Sequence, residues 1–202
     1  QDKVMFSDDS GCRYQAKVAA VEEKQIVLSI DSRKAVGKRF PLLVLYQCIL
    51  KKNAMELLLQ KACEIGADII VPVYSQRVVA GIGKVKTERW QKIARQASMQ
   101  SKRDYMTEVR PPLTIDKINP KDHGLFLLPY EESDLRFTLE KGLGLESLGL
   151  LVGPEGGFEA REVEMLKQKG ASVISFGKNI LRAETAAWYL LSVIDYTLKD
   201  NA

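Results

Sequence analysis

The sequence predicts an α/β protein: an open, mostly parallel sheet flanked by helices and preceded by a small β-rich segment. Three observations carry that reading. Residues 42–49, 69–73, 125–128 and 148–152 are short, continuous apolar runs, the pattern of strands buried on both faces. Stretches with a helical apolar period lie between them. Residues 13–30 instead alternate in strand fashion.

The elements follow in order. Tyr14, Ala16 and Val18 share one strand face, and Ile26, Leu28 and Ile30 follow the polar turn at 22–25, as in a hairpin. Residues 31–40 are polar and basic and end at Pro41, so a linker is expected there, dividing the chain into 1–40 and 41–202. After the strand at 42–49, Asn53 and Glu56 have capping-box spacing. They open a helix to Ile65 with Gly66 as its stop. Met55, Leu58, Leu59, Ala62 and Ile65 form its apolar stripe. A strand at 69–73 precedes a helix over 87–103 that turns Trp90, Ile93, Ala94 and Ala97 inward. Strands at 125–128 and 148–152, a helix at 160–169, a strand at 172–175 and a helix at 185–198 complete the series.

Bulk properties exclude several classes. With 202 residues, 46% hydrophobic and 28% charged, the composition is that of an ordinary globular chain. No apolar run approaches the roughly 20 residues of a membrane span, and no signal peptide opens the chain, so a cytoplasmic location is expected. The chain starts at Gln1 in strand-like material, and an opening segment is expected to be missing. Cys12, Cys48 and Cys63 fit neither a disulfide framework nor a zinc site, so no metal is expected. The sole histidine, His123, has no serine or cysteine motif to serve, and HExxH chemistry is absent. Charge is uneven: residues 51–110 carry 12 basic and 6 acidic groups, a net of +6, whereas 111–202 carry 10 and 14, a net of −4. A basic middle suggests a surface facing a polyanion.

Ligands on open α/β sheets bind beyond the carboxyl ends of the strands. Two loops there stand out. Gly153, Pro154, Glu155, Gly156, Gly157 and Phe158 directly follow the 148–152 strand. Their glycines permit positive φ and close approach of a ligand, or simply a tight turn with none. Residues 176–185 (FGKNILRAET) form a second long loop, apolar in its middle and followed by Arg182. A packed crossover with Arg182 paired to Glu184 or Glu155 is the plainer alternative. Neither a P-loop nor GxGxxG is present; Gly142 and Gly144 lack the third glycine.

LLVGPEGGFEAREVE (150–164) with FGKNILRAETAAWYLLSVI (176–194) resembles the ribosomal RNA small subunit methyltransferase E family of the SPOUT superfamily. KACEIGADIIVPV (61–73) and ERWQKIARQASMQSKRDYMTEVRPP (88–112) add to the likeness, which covers essentially residues 1–200. The resemblance implies a PUA-like β-barrel, truncated to 1–40 here, before a domain tied in a C-terminal trefoil knot. The stretch at 79–86 looks shorter than the family's. It also implies a homodimer that uses S-adenosylmethionine to methylate N3 of a uridine in 16S ribosomal RNA or the small subunit. Two rival readings are a related methyltransferase acting on transfer RNA and a non-catalytic RNA binder of the same fold. Carried over, the donor-binding residues are Leu128, Pro129, Gly153, Pro154, Glu155, Gly156, Gly157, Phe176, Gly177, Ile180, Leu181 and Arg182. Ile180 and Leu181 would hold the adenine through their main chain, and the three glycines would leave room for ribose and methionine. Arg182 would stabilise charge developing on the acceptor base, and Glu184 or Glu155 would take its proton. Arg89, Lys92, Arg95, Lys102 and Arg103, off the apolar stripe of the 87–103 helix, are expected to face RNA.

Overall fold

The structure, a computed structural model, describes residues 3–8, 11–37, 40–78, 87–135 and 144–199. The 79–86 stretch and Gly142 lie outside the described residues.

Strands β1 (Lys3–Ser7), β2 (Cys12–Val21) and β3 (Ile26–Ala35) form an antiparallel sheet in the order β1-β2-β3. The expected hairpin is present, its turn closed by the Glu22 N–H donating to the Gln25 carbonyl at 2.9 Å. Register shifts between Gln15 and Ala16 and between Val18 and Ala20 mark irregularities of the ribbon. The linker expected at 31–40 is largely strand instead: β3 continues to Ala35, with Lys34 opposite Arg13 and Ala35 opposite Cys12. Ladder hydrogen bonds use the main chain, so a polar, exposed run extends a strand as well as an apolar one.

The second sheet holds β4 (Leu42–Cys48), β5 (Ile69–Tyr74), β6 (Glu108–Val109), β7 (Leu113–Thr114), β8 (Leu125–Pro129), β9 (Ser147–Val152) and β10 (Ser172–Ile174). Its order is β10-β8-β9-β4-β5-β6, with β7 also on β5, and every pairing is parallel. Strands β6 and β7, two residues each, are too short to leave a periodic signature.

Among the described residues four α-helices cover the sheet: α1 (Lys52–Ile65), α2 (Thr87–Gln100), α3 (Ala160–Gln168) and α4 (Ala183–Lys199). Alternation along the strands separates two cores. Leu148, Leu150 and Val152 join one with α1, α2 and α4 residues such as Met55, Trp90 and Leu190. Phe126, Leu128 and Leu151 join the other with Val163 and Leu166 of α3.

The ends of α1 and α2 depart from expectation. Asn53 does not cap α1: the cap position is Lys51, without a side-chain cap, and Glu56 pairs with Arg89 of α2 at 2.7 Å. Gly66 ends α1 as expected, at φ 140°. Helix α2 stops at Gln100, where Lys102 at φ 57° and the Arg103 N–H donating to the Ser98 carbonyl turn the chain. Arg103 is therefore not on an outward helix face. Its guanidinium pairs with Asp68 at 2.7 Å and donates to the carbonyls of Cys63 and Ala67, tying α2 to the end of α1.

Candidate active site

The carboxyl ends of β10, β8, β9 and β4 are neighbours, which brings together the loops that leave them. The loop after β9 is clamped from three sides. The Gln47 amide of β4 donates to the Gly153 carbonyl at 3.3 Å, Arg77 donates to the Gly156 carbonyl at 3.1 Å, and the Glu155 carboxylate accepts the Lys51 N–H at 3.1 Å. Glu155 thus satisfies a main-chain donor at the start of α1. A turn closed by Gly157 N–H on the Pro154 carbonyl leaves Gly157 at φ 69°, which suits glycine. At Gly153 and Gly156 the missing side chain makes room within the protein. A Cβ would sit 3.0 Å from the Phe158 ring at Gly153 and 3.3 Å from Arg77 Cβ at Gly156.

The loop then enters α3 through a capping box in which the Glu162 carboxylate accepts the Glu159 N–H at 2.9 Å. The other Glu162 oxygen accepts the Gln76 N–H at 2.9 Å, tying the segment after β5 to α3. Gln47, Arg77 and Glu162 support the loop and escaped sequence reasoning, because each acts on an element remote in the chain. The Glu159/Glu162 spacing is the one readable signal among them.

The loop after β10 is open. The Phe176 ring packs edge-on against Tyr189 of α4, with centroids 5.1 Å apart. Gly177 adopts φ 99°, and a Cβ there would meet no atom within 4 Å. Main-chain groups of residues 178–181 make no hydrogen bond among the described residues, and Ile180 is 88% exposed. Arg182 is exposed, forms no ion pair among the described residues, and sits at the mouth of α4, its carbonyl accepting the Ala186 N–H. Glu184 is half-buried in the first turn of α4; neither it nor Glu155 pairs with Arg182. Of the β8 residues, Leu128 is fully buried in the core, so only its main chain can border the site, and Pro129 is half-buried beside Ile174. Pro154 is buried and Leu181 half-buried.

This geometry suits a ligand with a flat, hydrogen-bonding ring. Unpaired main-chain groups beside an exposed isoleucine offer both edge contacts and an apolar face. Beneath the glycine loop, the fully buried Gln47 also has one oxygen without a partner among the described residues. No cluster of His, Cys, Asp or Glu suited to a metal occurs among the described residues.

Residues 38–195 match the model of an RNA methyltransferase domain. The chain belongs to that family. Within it, the chain is 32% identical to ribosomal RNA small subunit methyltransferase E of Mesomycoplasma hyopneumoniae, covering 74% of this chain and 67% of that one. It is 28% identical to the protein of the same name from Bacillus subtilis over 96% of this chain and 82% of that one. The solved structure of ribosomal RNA small subunit methyltransferase E from Neisseria gonorrhoeae, bound to S-adenosyl methionine, superposes with a TM-score of 0.84 at 26% identity. That likeness covers 96% of this chain and 83% of the other. In this methyltransferase-family chain the two loops that differ most in character, one clamped and one open, leave the same end of the sheet from the strands on either side of β8.

The basic residues of α2 divide. Lys92, Arg95 and Lys102 are exposed, Arg89 is held by Glu56, and Arg103 is half-buried. The opposite end of the sheet is closed by His123, whose ring nitrogens hydrogen-bond the Tyr46 hydroxyl at 3.0 Å and the Ser147 hydroxyl at 2.9 Å. Burial lowers the His123 pKa below its ordinary 6.5. Cys12, Cys48 and Cys63 are buried and joined in no disulfide among the described residues, and burial pushes the Cys48 thiol up to about 12. No helix among the described residues is long and apolar enough to cross a membrane.

Proposed function

We propose that this chain methylates N3 of a uridine in the 16S ribosomal RNA of the small subunit, using S-adenosylmethionine. The observation that carries the reading is the open loop at 178–181, whose main chain makes no hydrogen bond among the described residues and whose Ile180 is exposed, at the same end of the sheet as the clamped glycine loop of an RNA methyltransferase domain. Ile180 and Leu181 would hold the adenine through their main chain, while Gly157, Gly177 and the main chain at Leu128 and Pro129 would border the rest. When bound, the sulfonium donor supplies an electrophilic methyl group.

The residues of this chain then align and neutralise. In-line displacement needs the acceptor nitrogen, methyl and sulfur collinear, and the rigid glycine loop favours that alignment. The donor would give its methyl to N3 and keep the broken bond's electron pair on sulfur, and the N3 proton would pass to a base of this chain. Negative charge spreads over the flanking carbonyls. Arg182, exposed, without an ion pair among the described residues and at the positive end of α4, stabilises it. Glu184 takes the proton, because Glu155 is already engaged by the Lys51 N–H.

On the substrate side, Arg89, Lys92, Arg95 and Lys102 track phosphates, and β1–β3 act as part of a PUA-like RNA-binding unit spanning 1–40, before a 41–202 catalytic domain. The protein acts in the cytoplasm as a homodimer, for which the exposed Tyr189, Val193 and Tyr196 of α4 provide an apolar face. Helix α4 packs on α1 and β9, so the chain leaving edge strand β10 crosses the intervening strands, a course that suits a C-terminal knot. Two measurements test the reading: calorimetric titration with S-adenosylmethionine, and mapping of the modified nucleotide in ribosomal RNA from a deletion strain. No binding at millimolar donor, or unaltered 16S RNA in the deletion strain, overturns it.

A further inference from the structure

Between β1 and α2 lies a cavity of about 390 Å³ that the proposed chemistry does not use. Its walls are apolar: Met5 and Phe6 from one side, Met99 and Met106 from the other. Met5 is 67% exposed and Met99 62%, so both side chains are accessible from solvent. Phe6 is stacked on Tyr14 with ring centroids 5.0 Å apart. The rim is cationic. Arg95 and Lys102 are exposed without ion pairs among the described residues, whereas Arg13 is held to Asp104 at 2.6 Å.

The pocket is also firmly positioned. The Tyr105 hydroxyl donates to the Val36 carbonyl, and the Arg13–Asp104 pair joins β2 to the loop after α2. The two walls therefore come from two parts of the chain that these contacts join. At 390 Å³ the cavity falls in the small-ligand range of about 300–1,000 Å³.

An apolar slot with two free cations at its edge matches one ligand chemistry well. An unstacked nucleobase has two apolar faces, and its phosphate sits within reach on the same strand. Methionine adapts to a flat ring and contacts it favourably through sulfur. A duplex keeps its bases stacked and cannot enter. We infer that this cleft seats one splayed-out base of single-stranded RNA, with Arg95 and Lys102 on its flanking phosphates. The inference rests on the proposed RNA methyltransferase reading and specifies how substrate is gripped away from the reacting nucleotide.

The test compares binding of a dye-labelled single-stranded oligoribonucleotide and a duplex of equal length to the full chain across a salt series. Met99→Ala and Met5→Ala, both at exposed positions, should each weaken single-strand binding about two- to tenfold, the range of a sulfur–ring contact. They should leave the salt slope and duplex binding unchanged. Arg95→Ala should flatten the single-strand slope by about 0.7. Equal losses on both RNAs, no loss in either methionine variant, no single-strand binding by the wild-type chain, or a changed oligomeric state instead would each overturn the inference. S-adenosylmethionine titration of the same samples separates the two ideas. Donor binding without the methionine effect rejects only the base slot, and absent donor binding rejects the methyltransferase reading.

Discussion

At the amino ends of β8 and β9, polar groups satisfy one another; at the carboxyl ends of the same strands, they are left open. His123, Tyr46 and Ser147 close a small network, with Phe126 packed beside them. Gly149 is there because that packing leaves no space: a Cβ would lie 2.3 Å from Phe126 and 2.7 Å from the His123 ring. At the other end Gly177 meets nothing, and residues 178–181 carry main-chain groups without protein partners among the described residues. A protein this well packed leaves hydrogen-bonding groups and a large apolar side chain exposed together where something else covers them. The same residue type, glycine, therefore serves density at one end and access at the other.

Four substitutions sharpen that contrast. The largest effect is expected for Arg182→Ala. Losing a charge stabiliser lowers turnover at saturating donor by about 100-fold or more, while donor affinity changes little. Single-turnover kinetics beside calorimetry checks this, and a collapse of affinity with normal turnover would make Arg182 a binding residue.

Gly149→Ala breaks the closed end. Overpacking against Phe126 and His123 should destabilise by about 1–3 kcal/mol. The melting temperature falls by about 2–4 °C per kcal/mol, and donor affinity of the folded fraction persists. Unchanged melting would show that the strand yields easily at this position.

Arg77→Ala releases the clamp on Gly156 without touching the open loop. Removing one charged hydrogen bond to that carbonyl should weaken donor binding by up to about tenfold, with the fold intact. By contrast, Gly156→Val is a poor probe of ligand approach, because the new side chain meets Arg77 first.

The smallest effect is the pH dependence of the closed end. Burial lowers the folded-state pKa of His123, so the fold favours the neutral ring. That stability is fully present above the unfolded value of 6.5 and is lost as pH falls through the lowered folded value. Thermal melts across mildly acidic pH should show this limb in the wild type and a flatter one in His123→Gln. His123 is the only histidine, so no other imidazole contributes.

Much of this molecule is legible in its sequence. The continuous apolar runs at 42–49 and 148–152 become β4 and β9, because strands buried on both faces need no polar alternation. Gly66 ends α1 because a positive φ is needed there. The two loops were visible through their glycines and through an arginine after an apolar stretch. Local pattern misled where a distant partner intervened. Asn53 and Glu56 have the right spacing for a capping box, yet Arg89 takes Glu56 and Glu155 meets the Lys51 N–H. Arg103 shares a basic run with Lys102 and Arg95, yet a left-handed turn at Lys102 sends it inward to Asp68.

By itself, the sequence determined the strand–helix alternation, the two-faced burial of the sheet and the family, because periodicity and contiguous motifs are properties of neighbouring residues. Only the tertiary structure decided which cations stay exposed and which are held by carboxylates, and which glycines lie against protein rather than open space. It also decided that Gln47, Arg77 and Glu162 brace the site, because those outcomes depend on which side chains from remote segments arrive at the same place.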